Sequence, residues 1–162
     1  MSRRHAAALA AVAGYVAAIV AANWLTERHG MIAIAPGLTT TAGTFAAGAA
    51  LLLRDAVQDT AGRWWVVAGI AAGAALTWLT APALAVASAT AFLVAEAADM
   101  AVYTPLRRRG WARAALTSGA VGAVVDTLLF LHLAGFPLTA EAVGGQLAGK
   151  VAWATVLPVG AV

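Results

Sequence analysis

Apolar residues are concentrated in six long segments, separated by short groups of charged residues, proline or glycine. Each segment is close to the roughly 20 residues that an α-helix needs to cross the hydrocarbon core of a bilayer. The pattern predicts an all-α fold, one bundle of six transmembrane helices, over about residues 6–25, 38–57, 64–79, 83–106, 114–134 and 142–162. The stretch 31–36 is too short to span and is predicted to be re-entrant or interfacial.

Composition supports a membrane protein. The chain has 162 residues, of which 62% are hydrophobic and 10% charged, and its mean hydropathy is +0.85. A soluble domain carries roughly 25% charged residues, so this chain could not cover a water-facing surface with polar groups. The length suits a single membrane domain, residues 1–162. Cysteine is absent, which excludes disulfides and thiol chemistry.

The positive charges are distributed unequally between the two sides of the predicted bundle. One side receives eight: Arg3, Arg4, Arg54, Arg63, Arg107, Arg108, Arg109 and Arg113. The other side receives Arg28. Because cytoplasmic loops carry the excess of Lys and Arg, both termini are predicted to be cytoplasmic, in a multi-pass protein of the inner (plasma) membrane. The basic pI of about 10.2 is then explained by topology, and we expect no nucleic-acid partner.

Small residues and aromatic residues fit the same picture. Gly69 with Gly73, and Gly145 with Gly149, have the small-xxx-small spacing that lets membrane helices approach closely. A genome that favours Ala and Gly is the alternative explanation. Trp and Tyr side chains lie near predicted helix ends, as in an aromatic belt: Trp24, Trp64, Trp65, Tyr103 and Trp111.

Polar side chains inside apolar segments are the candidates for function, because a charge at the bilayer centre costs at least about 2.5–3.5 kcal/mol. They are Asn23, Glu96, Asp99, Asp126, Gln146 and Lys150. Glu96 and Asp99 are three residues apart and share one helix face. Phe92 and Tyr103 extend that stripe. Two interpretations stay open: a neighbouring Arg or Lys neutralises the carboxylates to hold the bundle together, or the stripe is a substrate or ion site.

Asp126 and Lys150 are opposite charges in the fifth and sixth segments, and Lys150 is the only lysine of the chain. We predict that they lie within salt-bridge reach of each other or of another buried polar group. Such a pair can be structural or can couple to protons.

The chemistry of these groups suggests a class of ligand. Carboxylates suit a flat heterocycle with adjacent N–H and NH₂ donors, such as a guanine-like edge, and aromatic rings stack on its faces. A small cation or a vitamin would be equally compatible.

Several stretches resemble a known family. They are Thr39-Thr-Thr-Ala-Gly-Thr-Phe45, Leu53-Arg-Asp55 to Gly62, Ala87 to Phe92 with Glu96, Asp99 and Tyr103, Thr117-Ser118 to Asp126-Thr127 with Phe130, and Lys150, with Asn23 at the end of the first helix. In this order they resemble the VUT family of small six-helix queuosine-precursor transporters. The resemblance covers most of the chain, although its loops are minimal and the C-terminal tail of the family is absent.

The resemblance implies uptake of 7-cyano-7-deazaguanine or its aminomethyl relative. It adds Phe45 and Asp55 to the substrate-binding candidates. In this hypothesis Glu96 and Asp99 accept hydrogen bonds from the heterocycle and Phe92 or Tyr103 stacks on it. Asn23 and Gln146 complete the polar edge.

Three alternatives stay open. The first is a vitamin-binding S component that needs a separate ATPase module, since an energising module or a homo-oligomer is compatible with the sequence. The second is a membrane enzyme acting on lipid-like substrates, although His5, His29 and His132 lie far apart and provide no metal-ligand spacing. The third is a structural or pore-forming protein. No cofactor, metal or catalytic residue is expected.

Overall fold

The computed structural model describes residues 3–160, with side chains for residues 5–110 and 113–152. Six α-helices make up most of this part of the chain: α1 (Arg3–His29), α2 (Thr44–Ala61), α3 (Arg63–Trp78), α4 (Pro82–Leu106), α5 (Trp111–Leu133) and α6 (Ala140–Gly160). A 3-10 turn, Arg107–Arg109, joins α4 to α5. Five of the six predicted segments coincide with one helix each. The predicted end of the sixth, at residues 161–162, lies outside the described residues.

The remaining predicted segment, 38–57, is wrong at its start. Strand β1 (Met31–Ala35) pairs antiparallel with strand β2 (Leu38–Thr41), so a hairpin occupies the first residues of that segment. Gly37 takes a φ of 71° in the turn, a conformation that glycine adopts without steric cost. The threonines that follow are β-branched and favour an extended backbone. The all-α prediction is corrected accordingly, and α2 begins only at Thr44.

The helices form a closed ring. Neighbour packs on neighbour in the order α1, α3, α4, α5, α6, α2 and back to α1, and β2 of the hairpin packs against α6. The apolar core lies where α1, α2, α3 and α4 meet, and it includes Tyr15, Ile19, Val57, Ile70 and Phe92. The ring leaves space between the helices on its inner side, and this space holds the candidate site.

Glycines set the closest approaches between helices, as their spacing predicts. A Cβ at Gly69 would lie 2.7 Å from Cδ1 of Tyr15, and a Cβ at Gly73 would lie 2.7 Å from Cγ2 of Ile19. The first pair of glycines therefore seats α3 on α1. The second pair, Gly145 and Gly149, seats α6 on the hairpin and on the start of α2, since their neighbours are Thr39 and Thr44.

Three helical stretches within the described residues are long and apolar enough to cross a membrane: His5–His29, Pro82–Arg109 and Arg113–Leu133. Of the other helices, α3 has 16 residues and α2 contains Arg54, Asp55 and Asp59. The six-span topology and the cytoplasmic termini stay predictions.

Two tryptophan side chains near helix ends are exposed, and the guanidinium group of an arginine lies over each ring. The guanidinium of Arg28 lies 5.2 Å from the ring centroid of Trp24, and that of Arg63 lies 5.2 Å from the ring of Trp64. Their exposed fractions, 42% for Trp24 and 72% for Trp64, suit the membrane interface predicted for them. The side chain of Trp111 lies outside the described part of the chain.

Candidate functional site

A cavity of about 330 Å³ lies between the helices and is lined by residues from all six of them. We call it the main cavity. Most of its wall is apolar, and small residues of α5 such as Gly119 and Gly122 keep one side open. Its polar and aromatic lining consists of Tyr15, Arg54, Asp55, Phe92, Glu96, Asp99 and Lys150. Five of these seven residues were predicted as site residues from the sequence, and Tyr15 and Arg54 were not.

Arg54 organises the charges of the main cavity. Its Nη1 donates to Oε2 of Glu96 at 2.7 Å, across from α2 to α4. Its Nε and Nη2 both donate to Oδ1 of Asp55, at 3.0 and 2.7 Å. The Arg54 side chain is only 15% exposed, so it is a partly buried member of the site. The prediction that Arg54 is a positive charge flanking a helix was wrong, because the residue lies inside α2. Seven of the eight arginines counted for the cytoplasmic side remain.

The two carboxylates of the predicted stripe differ in environment. Glu96 is 14% exposed and bound by Arg54, which matches the interpretation in which an arginine neutralises it. Asp99 is partly buried and forms no hydrogen bond or ion pair with the residues that the structure describes. It faces α5, where a Cβ at Gly122 would lie 3.8 Å from its Oδ1. The arginine is therefore bonded to Glu96, whereas Asp99 lies within its electrostatic range without an ion pair and keeps its hydrogen-bonding capacity.

A second, smaller chamber of about 20 Å³ lies toward the hairpin. We call it the hairpin chamber. Its polar lining consists of Asn23, Thr26, Thr41, Ser88, Asp126, Gln146 and Lys150. Phe92 and Lys150 line both this chamber and the main cavity. These two side chains therefore form the partition between the two spaces.

The predicted pair Asp126–Lys150 is confirmed. Lys150 Nζ lies 2.7 Å from Oδ2 of Asp126, and it also donates to Oγ1 of Thr127 at 2.7 Å. Both charged side chains are almost fully buried, at 2% and 6% exposure. Burial without a partner would be costly for either charge, so this pair links α5 to α6 and compensates both.

The two predicted amide residues line the hairpin chamber and are bonded inside the protein. Asn23 Nδ2 donates to the carbonyl oxygen of Ile19 at 3.2 Å and to Oγ1 of Thr77 at 3.4 Å. Gln146 Nε2 donates to Oγ1 of Thr41 at 2.9 Å, which ties α6 to β2. The structure thus brings both amides together in the hairpin chamber and not in the main cavity.

Two predicted residues lie away from both spaces. Phe45 is 41% exposed at the start of α2. Tyr103 lies under the guanidinium of Arg107, 6.0 Å from its ring centroid, near the end of α4. The predicted stripe is therefore divided: Phe92, Glu96 and Asp99 line the main cavity, and Tyr103 does not.

Tyr15, like Arg54, lines the main cavity but was not predicted as a site residue from the sequence. It is fully buried in the middle of α1, and its hydroxyl has no hydrogen-bond partner among the described residues. Buried hydroxyls are usually bonded, and Tyr15 lines the main cavity, within electrostatic range of Arg54 and Glu96. Tyr15 lies far from either end of α1, unlike the aromatic residues predicted for the membrane interface. This position could have identified it as a candidate site residue from the sequence.

The described residues contain no group of three or more His, Asp or Glu side chains that could hold a metal ion. The main cavity instead combines one aromatic face, hydrogen-bonding groups and carboxylates, which is the composition of a small-molecule binding site.

Comparison with known proteins identifies one family. Residues 6–160 match the family model described as "Putative vitamin uptake transporter". No curated protein matches the chain. No solved structure matches it either.

Proposed function

The chain belongs to this family of vitamin uptake transporters, and we propose that its substrate is a 7-deazaguanine-type precursor of queuosine. The family supports a membrane protein that transports a small molecule. The sequence stretches described above resemble queuosine-precursor transporters and support the finer assignment. The observation that carries it is the main cavity, in which Phe92 and two carboxylates from one face of α4 line a single space.

The size and lining of the main cavity suit such a substrate. Pockets for small molecules typically measure about 300–1,000 Å³ and combine an apolar wall with a few polar groups, and this cavity measures about 330 Å³. A bicyclic purine-like ring stacks against Phe92 in the proposed complex. Its N–H and NH₂ donors bind the carboxylate of Glu96, which the bond from Arg54 holds in place.

The partition suggests how a substrate crosses. In the proposed arrangement α1 to α6 all span the inner membrane, both termini are cytoplasmic, and the hairpin lies at the opposite face. A substrate would then pass from the hairpin chamber to the main cavity by displacing Phe92 and the Lys150 side chain. The hairpin chamber of about 20 Å³ is too small for a bicyclic ring, so the proposal includes rearrangement of the hairpin during transport.

Uptake in cells that cannot synthesise queuosine precursors tests this function. Cells expressing the chain and supplied with a 7-deazaguanine precursor are expected to regain queuosine in tRNA, and cells with empty vector are not. The purified chain in liposomes provides the second arm. Uptake by liposomes without any ATPase would support a self-sufficient transporter. Uptake only with a co-purifying ATPase would favour the S-component alternative, and no uptake in either arm would contradict the assignment.

A further inference from the structure

The main cavity is negatively charged overall. Its described lining contains the carboxylates of Asp55, Glu96 and Asp99 and the cations Arg54 and Lys150. Lys150 is already bound to Asp126 behind the wall. Arg54 is shared between Asp55 and Glu96, to which it is hydrogen-bonded, and it lies within electrostatic range of Asp99 without forming an ion pair with it.

The Asp99 carboxylate is better suited to binding a ligand than to packing between helices. A partly buried carboxylate with no donor loses hydration without compensation. A packing role would be filled better by an apolar side chain, and the glycine opposite, Gly122, keeps the space beside Asp99 open. A bound ammonium group would supply the missing charge and the missing hydrogen bonds together.

Tyr15 provides an independent indication of a ligand in the same space. Tyr15 lines the main cavity, and its hydroxyl is buried and unpaired among the described residues. The ring cannot easily turn away, because α3 approaches so closely at Gly69. A hydroxyl both donates and accepts, so a heterocycle with ring nitrogens and an exocyclic oxygen can satisfy it.

We propose that the main cavity selects a cationic substrate, a planar heterocycle bearing a protonated primary amine, which pairs with Asp99 while Tyr15 hydrogen-bonds the ring. This inference rests on the proposed function and narrows it. Of the two candidate precursors, the aminomethyl compound carries that ammonium. The cyano compound is neutral at this position, and its nitrile nitrogen only accepts hydrogen bonds. The nitrile cannot neutralise the negative charge of Asp99. It would also place one hydrogen-bond acceptor beside another, the carboxylate.

Binding of both precursors to the purified full-length chain in liposomes tests the selection. The unmodified chain is expected to bind 7-aminomethyl-7-deazaguanine about tenfold or more tightly than 7-cyano-7-deazaguanine, the magnitude of a charge-assisted hydrogen bond. Asp99→Asn should reduce the affinity for the amine far more than that for the nitrile and so remove the preference. Tyr15→Phe should weaken both ligands by similar factors and keep the preference.

Asp59→Asn is the matched control, because it removes the same charge at an exposed site near the end of α2 that lines neither cavity. It should retain the preference. Equal or tighter binding of the nitrile by the unmodified chain, or an undiminished preference in Asp99→Asn, would overturn the selection while leaving the transport of deazaguanines in place. Binding of neither compound would overturn both proposals.

Discussion

The guanidinium of Arg54 on α2 lies 2.7 Å from the carboxylate of Glu96 on α4. The two residues are 42 positions apart in the chain, and both line the main cavity. The contact places a fixed cation in the middle of the bundle. It therefore determines which carboxylates are compensated and which remain for a substrate.

Removing the Arg54 charge should damage both the fold and uptake. Arg54→Gln leaves the part-buried Glu96 without its cation, whereas Asp55 is exposed. Breaking a fully buried pair costs about 3–5 kcal/mol, so we expect a smaller loss here. We expect a lower melting temperature in detergent and no uptake. Arg54→Lys should rescue only in part, because an ammonium cannot reproduce the guanidinium fork that bonds two carboxylates. Arg63→Gln is the control, since that exposed arginine contacts the ring of Trp64, and unchanged stability of Arg54→Gln would refute the role.

Asp126 and Lys150 should show strong coupling in a double-mutant cycle. Asp126→Asn or Lys150→Gln alone leaves a buried charge unpaired, at about 3–5 kcal/mol, whereas the double substitution removes both charges. We therefore expect the double variant to be more stable and better expressed than either single variant. Thermal unfolding in detergent measures this. A double variant that is no more stable than the single variants would show that Asp126 and Lys150 do not neutralise each other.

Gly145 should tolerate no side chain. A Cβ at this position would overlap the carbonyl oxygen of Thr39 in β2, so Gly145→Ala must push the hairpin away from α6 and weaken the bond between Gln146 and Thr41. We expect a loss of about 1–3 kcal/mol, typical of overpacking, and reduced uptake. Gly119→Ala in α5 meets nothing within 4 Å and should not lower stability. Equal melting temperatures for the two variants would contradict the seating of the hairpin on α6.

Topology can be tested at the loops. Reporter fusions after Arg63, after Arg109 and at Val162 should report the cytoplasm, and a fusion near Glu141 should report the periplasm. Labelling of single introduced cysteines provides a second measurement, because the chain contains no cysteine of its own. A cytoplasmic signal near Glu141 would rule out the six-span arrangement.

The sequence by itself determined the helices and the charged pair in the fifth and sixth. Hydropathy is a local property, so in five of the six predicted segments the first residue lies within four residues of the start of the observed helix. Asp126 and Lys150 could be paired because each is a lone charge in an apolar helix, and burial leaves an isolated charge few other partners. Phe92, Glu96 and Asp99 share a face by spacing alone, and they do line one cavity.

Only the tertiary structure decided the position of Arg54 and the role of Tyr15. Arg54 looked like a charge at a helix end because the apolar run was taken to begin at residue 38. The hairpin uses residues up to Thr41, so α2 runs from Thr44 to Ala61 and Arg54 falls near its middle. Its pairing with Glu96 and the unpaired hydroxyl of Tyr15 depend on how distant helices face one another. Local hydropathy carries no information on that orientation, since it depends on contacts between residues far apart in the chain.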